Sequence, residues 1–503
     1  MSLSTAPDDP KPKPHKKHHK NIPKLPSEIF PSTVIDEEPE FASSIDFSES
    51  NLDYTYKIKR FFSKGFLANS IITLFNQSPL LILLYYSYAF YHLGFIFGIV
   101  FLCLIILNSY FTSFLTLRIK QETSTQSYNE FIQKYLGENI CLIYNCIYFI
   151  YCFSLAMIYI YTYNHIINEL LDMLFKLDES SRVIRLIVLT VSLVLIGVPS
   201  FFYKKDNVNN VIQITNTAVI VLCVVCVCVY NLITKNGDSS NNINELAFMK
   251  RNKNISISLS MIILSISIHP FLYKQMNDLQ LFTMKRAKKM IVSTSLIQFV
   301  FYLLFGLFAF FTTKYNVNPT NKIKINFLFF ICNPNITSTY NVVLFYIIQL
   351  FKFLIALISV YNSSITIYEF YNTIKTQNSF QSNTLNTSYE LVKYQNENNT
   401  NLQENISKNN SIVLKLFCVL ILIVINIIIL FTDDDSIHLA FTFSGGFCAG
   451  TICYVFPCVG FLLVFKYEKH IFKCFVVVVM CTLGVISIGI TIHQCVVVVN
   501  EMF

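Results

Sequence analysis

Residues 74–84 read LFNQSPLLILL, near the start of the first long apolar run of the chain. Asn76, Gln77, Ser78 and Pro79 stand there where a lipid-embedded helix would carry unbroken Leu and Val. Pro79 lacks an N–H and its ring crowds the preceding turn, which frees the carbonyl of Phe75. In hydrocarbon a freed carbonyl must meet water, an ion or protein. Two amides and a hydroxyl beside it could coordinate a cation or a carboxylate, and interrupted helices at membrane depth line such sites. The plainer alternative is a kink whose polar side chains serve only the local backbone.

Outward from this stretch, the composition sets the surroundings. Of 503 residues, 53% are hydrophobic and 14% charged, with Phe alone present 47 times. A soluble fold cannot hide that much apolar surface behind so few charges. Apolar runs of about 20 residues, enough to cross roughly 30 Å of hydrocarbon, recur along the chain. Eleven spans are expected, near 65–90, 94–117, 140–167, 184–203, 211–234, 254–274, 288–313, 340–366, 411–431, 438–465 and 470–499. The fold class is therefore an all-α polytopic membrane protein.

Residues 1–60 are basic and Pro-rich, then acidic, and are expected to form a disordered tail without a cleaved signal peptide. A second low-complexity segment, 375–410, is expected as a loop inserted into a transmembrane domain of residues 61–499. With the N-terminus in the cytosol, the tail and the loops on that side hold most of the 38 Lys and Arg. An odd span count then places the C-terminus outside the cell or in a lumen. Asn335, in the sequon NIT, falls on that outer side as a glycosylation acceptor.

Two further spans carry polar groups, which are expensive in lipid and so raise functional hypotheses. Span six contains SISIHP (265–270), with Ser265, Ser267 and His269 beside a second helix-breaking proline. Its imidazole can take or release a proton near neutral pH. Span eight contains Lys352, followed by Ser359, Asn362, Ser363 and Ser364. A buried ammonium can stand in for a bound Na⁺ or pair with an acid. No Asp or Glu is expected in mid-span, which leaves backbone carbonyls or snorkelling.

Other chemistry is thin. The chain has no Gly-rich nucleotide loop, HExxH, GxSxG or intramembrane Asp pair, so an enzyme is not expected. Neither a repeated pore-loop pattern nor a charged ring points to a channel. Cys223 and Cys226 form a CxxC without a second pair or a His, and are read as packing cysteines rather than metal ligands. No nucleic-acid partner is expected.

Four stretches, in order, resemble the amino acid/auxin permease family. LLYYSYAFYHLG (83–94) is similar to the end of its first span. HPFLYKQMNDL (269–279) resembles its sixth, where His-Pro precedes an acidic residue and Leu. YLLFGLFAFFT (302–312) and LAFTFSGGFCAGTICYVFPCVGFL (439–462) resemble its seventh and tenth. The resemblance covers about 60–370 and 411–499. It implies a five-plus-five inverted repeat with one extra span, discontinuous helices one and six, and a substrate held at their breaks. A sodium site, where the family has one, lies between spans one and eight. Where the family commonly has a Gly-rich triplet at the first break, this chain has Leu80-Leu81-Ile82.

The residues expected to line a substrate are Asn76, Gln77, Ser78, Leu80, Leu81, Ile82, Ser265, Ser267 and His269. Asn76, His269, Lys352, Ser359 and Ser363 are the candidates for ion coupling. The resemblance implies secondary active transport of small or neutral amino acids by alternating access, as symport with H⁺ or Na⁺ and with no resident cofactor. The membrane would be the plasma membrane or a vacuolar or lysosomal-type one. The rival readings are a transport-inactive amino acid sensor or scaffold of the same fold, and an uncoupled channel-like facilitator.

Overall fold

A computed structural model of the chain describes residues 66–175, 255–279, 282–316, 339–387 and 434–465, with parts of 187–229, 419–429 and 477–496. The tail 1–60, span four for the most part, and the sequon at Asn335 lie outside the described residues. The regular elements among those described are all helical. They are α1 (Leu67–Gln77), α2 (Tyr86–Leu93), α3 (Phe95–Thr123), α4 (Tyr128–Tyr135), α5 (Glu138–Phe175) and α6 (Ile214–Cys223). There follow α7 (Ile255–Ser265), α8 (His269–Asp278), α9 (Met284–Asn316), α10 (Thr339–Thr387) and α11 (Val419–Ile429). The last are α12 (Asp434–Phe441), α13 (Phe456–Val464) and α14 (Gly484–His493).

Six helical stretches among the described residues are long and apolar enough to cross a membrane, and α6, α11 and α14 are shorter apolar helices. The distribution of side chains is that of a protein with lipid as its outer solvent. On α3, Val100, Leu104 and Leu107 are exposed, whereas Asn108, Ser109, Thr112, Ser113 and Thr116 are buried. Polar groups point inward because only there do they find partners. The chain is an all-α polytopic membrane protein, as expected.

Both expected interruptions are present. Between α1 and α2 the chain passes through Ser78 and Pro79 in extended or irregular conformation, then a 3₁₀ turn, Leu80–Tyr85. Between α7 and α8 it unwinds over residues 266–268, and Pro270 falls in the first turn of α8. A proline there costs no hydrogen bond, because the first helical N–H groups have no intrahelical partner. Gly94 turns the chain from α2 into α3 at φ 78°, a conformation that favours glycine. The short α4 is fixed at its start by Ser127, whose hydroxyl accepts from the Glu130 N–H at 3.1 Å, while Glu130 Oε2 accepts from the Gln126 N–H.

Between α12 and α13 the helix widens into two π-helical stretches, Thr442–Ala449 and Thr451–Val455, just ahead of Pro457. Gly445 lies so close to α7 that a Cβ there would collide with the Ser260 carbonyl. One expectation needs correcting in part. Helix α10 continues to Thr387, so the first third of the segment 375–410 extends a helix rather than opening a loop. Once the apolar part has nucleated a helix, each added polar residue costs little, and composition alone underrates that.

Candidate functional site

The carbonyl freed by Pro79 does not stay free. Phe75 O accepts from the Ser78 hydroxyl at 2.5 Å and from the Ser78 N–H at 3.3 Å. At this atom the plainer, local reading is the correct one. The two amides behave otherwise, since both reach across to other helices. Asn76 Oδ1 accepts from the Thr217 hydroxyl of α6. Gln77 Oε1 accepts from Gln275 Nε2 of α8 at 3.3 Å.

Where a glycine triplet would leave open backbone, Leu80, Leu81 and Ile82 wind into the 3₁₀ turn and are fully buried. Ile82 N–H donates to the Pro79 carbonyl at 3.0 Å, which satisfies both backbone groups within the break. At the second break the serine hydroxyls bond back to the preceding turn. Ser265 donates to Ile262 O at 2.8 Å and Ser267 to Leu264 O at 2.6 Å.

Tyrosines fill the space between the two breaks. Tyr302 of α9 donates to Ser265 O at 2.8 Å and lies 3.0 Å from Ser78 Oγ, so one phenol touches both interruptions. Tyr86 OH meets Ser265 Oγ at 2.5 Å, and Tyr151 OH meets Ser267 Oγ at 2.9 Å. In this conformation Ser265 and Ser267 therefore face phenols rather than an open site. His269 points another way. Its Nε2 lies 2.8 Å from Thr112 Oγ1 and 3.2 Å from Ser113 Oγ, which ties α8 to α3.

A cavity of ≈ 40 Å³ opens beside the first break. From α1 and the break it is lined by Asn76, Gln77, Ser78 and Leu80, and from α5 by Leu155 and Tyr159. Asn216 of α6, Phe271 of α8, and Asn362, Ile365 and Thr366 of α10 complete it. None of these side chains is charged. Three Asn, one Gln and three hydroxyls converge there, and α1 ends on it. A helix C-terminus carries partial negative charge, which favours cationic groups beside it. At this volume the cavity admits a few waters or a small ion.

The transmembrane amino acid transporter protein family matches this chain over residues 69–497. That range holds both breaks, the tyrosine bridge and the cavity. The chain belongs to that family. No curated protein matches it.

Within this transporter, the residues singled out from sequence separate into two groups. Asn76, Gln77, Ser78 and Leu80 line the cavity, while Leu81, Ile82, Ser265, Ser267 and His269 are not among its lining. Ser359 and Ser363 donate to Ile355 O and Val360 O of their own helix at 2.7 Å each, and the cavity takes their neighbours Asn362 and Thr366 instead. Lys352 is fully buried, and the expectation that it has no acidic partner is overturned. Its Nζ pairs with Glu169 Oε1 of α5 at 2.9 Å. Glu169 lies just past the expected end of span three. The true helix runs on to Phe175, which carries the carboxylate into reach.

Sequence reasoning missed Tyr86, Tyr151, Tyr302, Asn216 and Thr217. The available signal was a phenol or amide inside an apolar span, since a buried Tyr O–H needs a partner. With 29 Tyr in the chain, that signal selects few positions.

Proposed function

We propose that the chain is a secondary active transporter of small or neutral amino acids that works by alternating access around the first-helix break. The observation that carries this reading is the uncharged, amide-rich cavity at the C-terminal end of α1. Asn76 is its central residue, because it joins the break to α6. A zwitterion needs no net charge from its site, and the helix end supplies partial charge for its ammonium group. The cavity is too small for a whole amino acid, so binding and release belong to conformations in which the helices around it have moved apart.

Coupling to H⁺ or Na⁺ is part of the proposal. Asn76 and Thr366 supply oxygens on the first and eighth spans, and oxygen donors suit Na⁺. The pairing of Lys352 with Glu169 favours a fixed structural ammonium over an ion-coupling one. The five-plus-five repeat, eleven spans, a cytosolic N-terminus, and the plasma membrane or a vacuolar or lysosomal-type membrane belong to the same reading.

A second reading has its own support. The 3₁₀ turn at Leu80–Tyr85 and the phenols of Tyr86, Tyr151 and Tyr302 close the space between the breaks. That favours a sensor of the same fold that binds without transporting. Radiolabelled amino acid uptake and counterflow in reconstituted vesicles, under imposed proton and then sodium gradients, separates the two. Saturable counterflow supports the transporter; binding without flux in either direction supports the sensor.

A further inference from the structure

Arg118 of α3 and Lys288 of α9 are far apart in sequence, yet both lie over one aromatic ring. Arg118 Cζ is 5.5 Å from the Phe114 ring centroid and Lys288 Nζ is 5.0 Å from it. Both cations are exposed. Among the described residues neither has a carboxylate partner, and Glu122, one turn beyond Arg118, pairs with neither. A cation over Phe114 gains about 0.5–1 kcal/mol. Each cation has that gain, yet together they place two positive charges about one ring, a charge that an anion would offset.

The helical stripes leading away from the two cations identify what compensates. From Lys288, every fourth residue along α9 is Val292, Leu296, Val300, Leu304 and Phe308, each between 46 and 60% exposed. From Arg118 and Phe114, the outer face of α3 continues through Leu107, Leu104 and Val100, each about half exposed. Each cation therefore caps a lipid-facing apolar stripe at its water end. Acyl chains lie along such stripes, and the group that meets the cations is then a headgroup.

We propose that Arg118 and Lys288, set about Phe114, form a binding site for the headgroup of an anionic phospholipid between the second and seventh spans. Basic residues at span ends also set membrane orientation, but orientation requires only their side of the membrane. Convergence of two helices on one ring is a property of a site. Lys285 and Lys289 are exposed on the first turns of α9, lie over no ring among the described residues, and serve as the internal comparison.

The test uses the full chain in phosphatidylcholine nanodiscs containing a minor fraction of phosphatidylserine, with retained lipids counted by native mass spectrometry. Arg118→Gln with Lys288→Gln is expected to lower phosphatidylserine retention about 25-fold, at about five-fold or ~1 kcal/mol per cation. Lys285→Gln with Lys289→Gln is expected to leave most of it, and an unchanged Tm in pure phosphatidylcholine verifies that both variants fold. Equal loss in the two pairs would show a diffuse charge field and overturn the site. Competition by inorganic phosphate as effective as by added phosphatidylserine would overturn the lipid assignment, as would equal retention of phosphatidylcholine. Charge-preserving Arg118→Lys is expected to keep retention near the original level.

Discussion

Tyr302 donates to the Ser265 carbonyl at 2.8 Å while its oxygen lies 3.0 Å from Ser78 Oγ. The two helix breaks are thus joined through one side chain of a third helix. A phenol suits this place, since its ring packs in the apolar core and its single hydroxyl reaches two polar points. On the proposed alternating-access reading, such a bridge sets how readily the breaks separate.

Tyr302→Phe keeps the ring and removes the bridge. Stability is expected to fall by about 1–3 kcal/mol, because the Ser265 carbonyl loses a buried donor. Thermal unfolding in detergent checks this, and an unchanged Tm would contradict it. The balance between conformations should shift as well, read as altered protection of the cavity residues from a cysteine reagent.

The ion pair between Lys352 and Glu169 is asymmetric, because Lys352 is fully buried and the Glu169 side chain is 23% exposed. Glu169→Leu strands an ammonium with no route to water and is expected to cost about 3–5 kcal/mol. Lys352→Met leaves a carboxylate that can still reach solvent and should cost less. The double variant should recover part of the loss, as expected when both charges of a buried pair are removed together. Yield of folded protein and Tm report the order, and a milder effect for Glu169→Leu than for Lys352→Met would contradict the account.

How much of this could be read from sequence depended on whether the signal was local. Pro79 and Pro270 mark both breaks because proline acts on its own turn. The amides at Asn76 and Gln77 are conspicuous because nothing else explains them in lipid. The partner of Lys352 was hidden, since Glu169 stands 183 residues away at a helix end whose extent composition does not define. Ser265 and Ser267 looked like ligands because their spacing cannot reveal that tyrosines from α2, α5 and α9 would meet them or the adjoining backbone. His269 stands out in sequence beside Pro270, but its Nε2 partners, Thr112 and Ser113 on α3, come from a helix 157 and 156 residues away.

Close approach of α7 to the widened helix after α12 rests on Gly445. Gly445→Ala places a methyl group against the Ser260 backbone, which cannot turn aside, and is expected to cost about 1–3 kcal/mol or more. Among the described residues nothing lies within 4 Å of where a Gly489 Cβ would be, so Gly489→Ala is expected to be neutral or to stabilise α14 by up to about 1 kcal/mol. Comparing the two Tm values tests the packing directly; equal effects would count against it.

Ser78→Ala removes the hydroxyl that meets the Phe75 carbonyl at 2.5 Å. Only the longer bond from the Ser78 N–H then remains at that carbonyl. A loss of about 1 kcal/mol is expected, together with a changed apparent affinity for substrate, because the cavity beside it reshapes. Substrate affinity and Tm both at the original values would show that the local cap is dispensable.

The central claim is that the cavity around Asn76 is where this transporter handles its substrate. The most direct measurement is counterflow of radiolabelled neutral amino acids in vesicles containing the full chain, beside the same vesicles carrying Asn76→Leu at equal folded amount. Saturable counterflow for at least one amino acid, abolished by Asn76→Leu, is the expected result. Counterflow that survives Asn76→Leu undiminished would contradict the role of the cavity, and absence of flux for every amino acid in the unaltered chain would contradict transport itself.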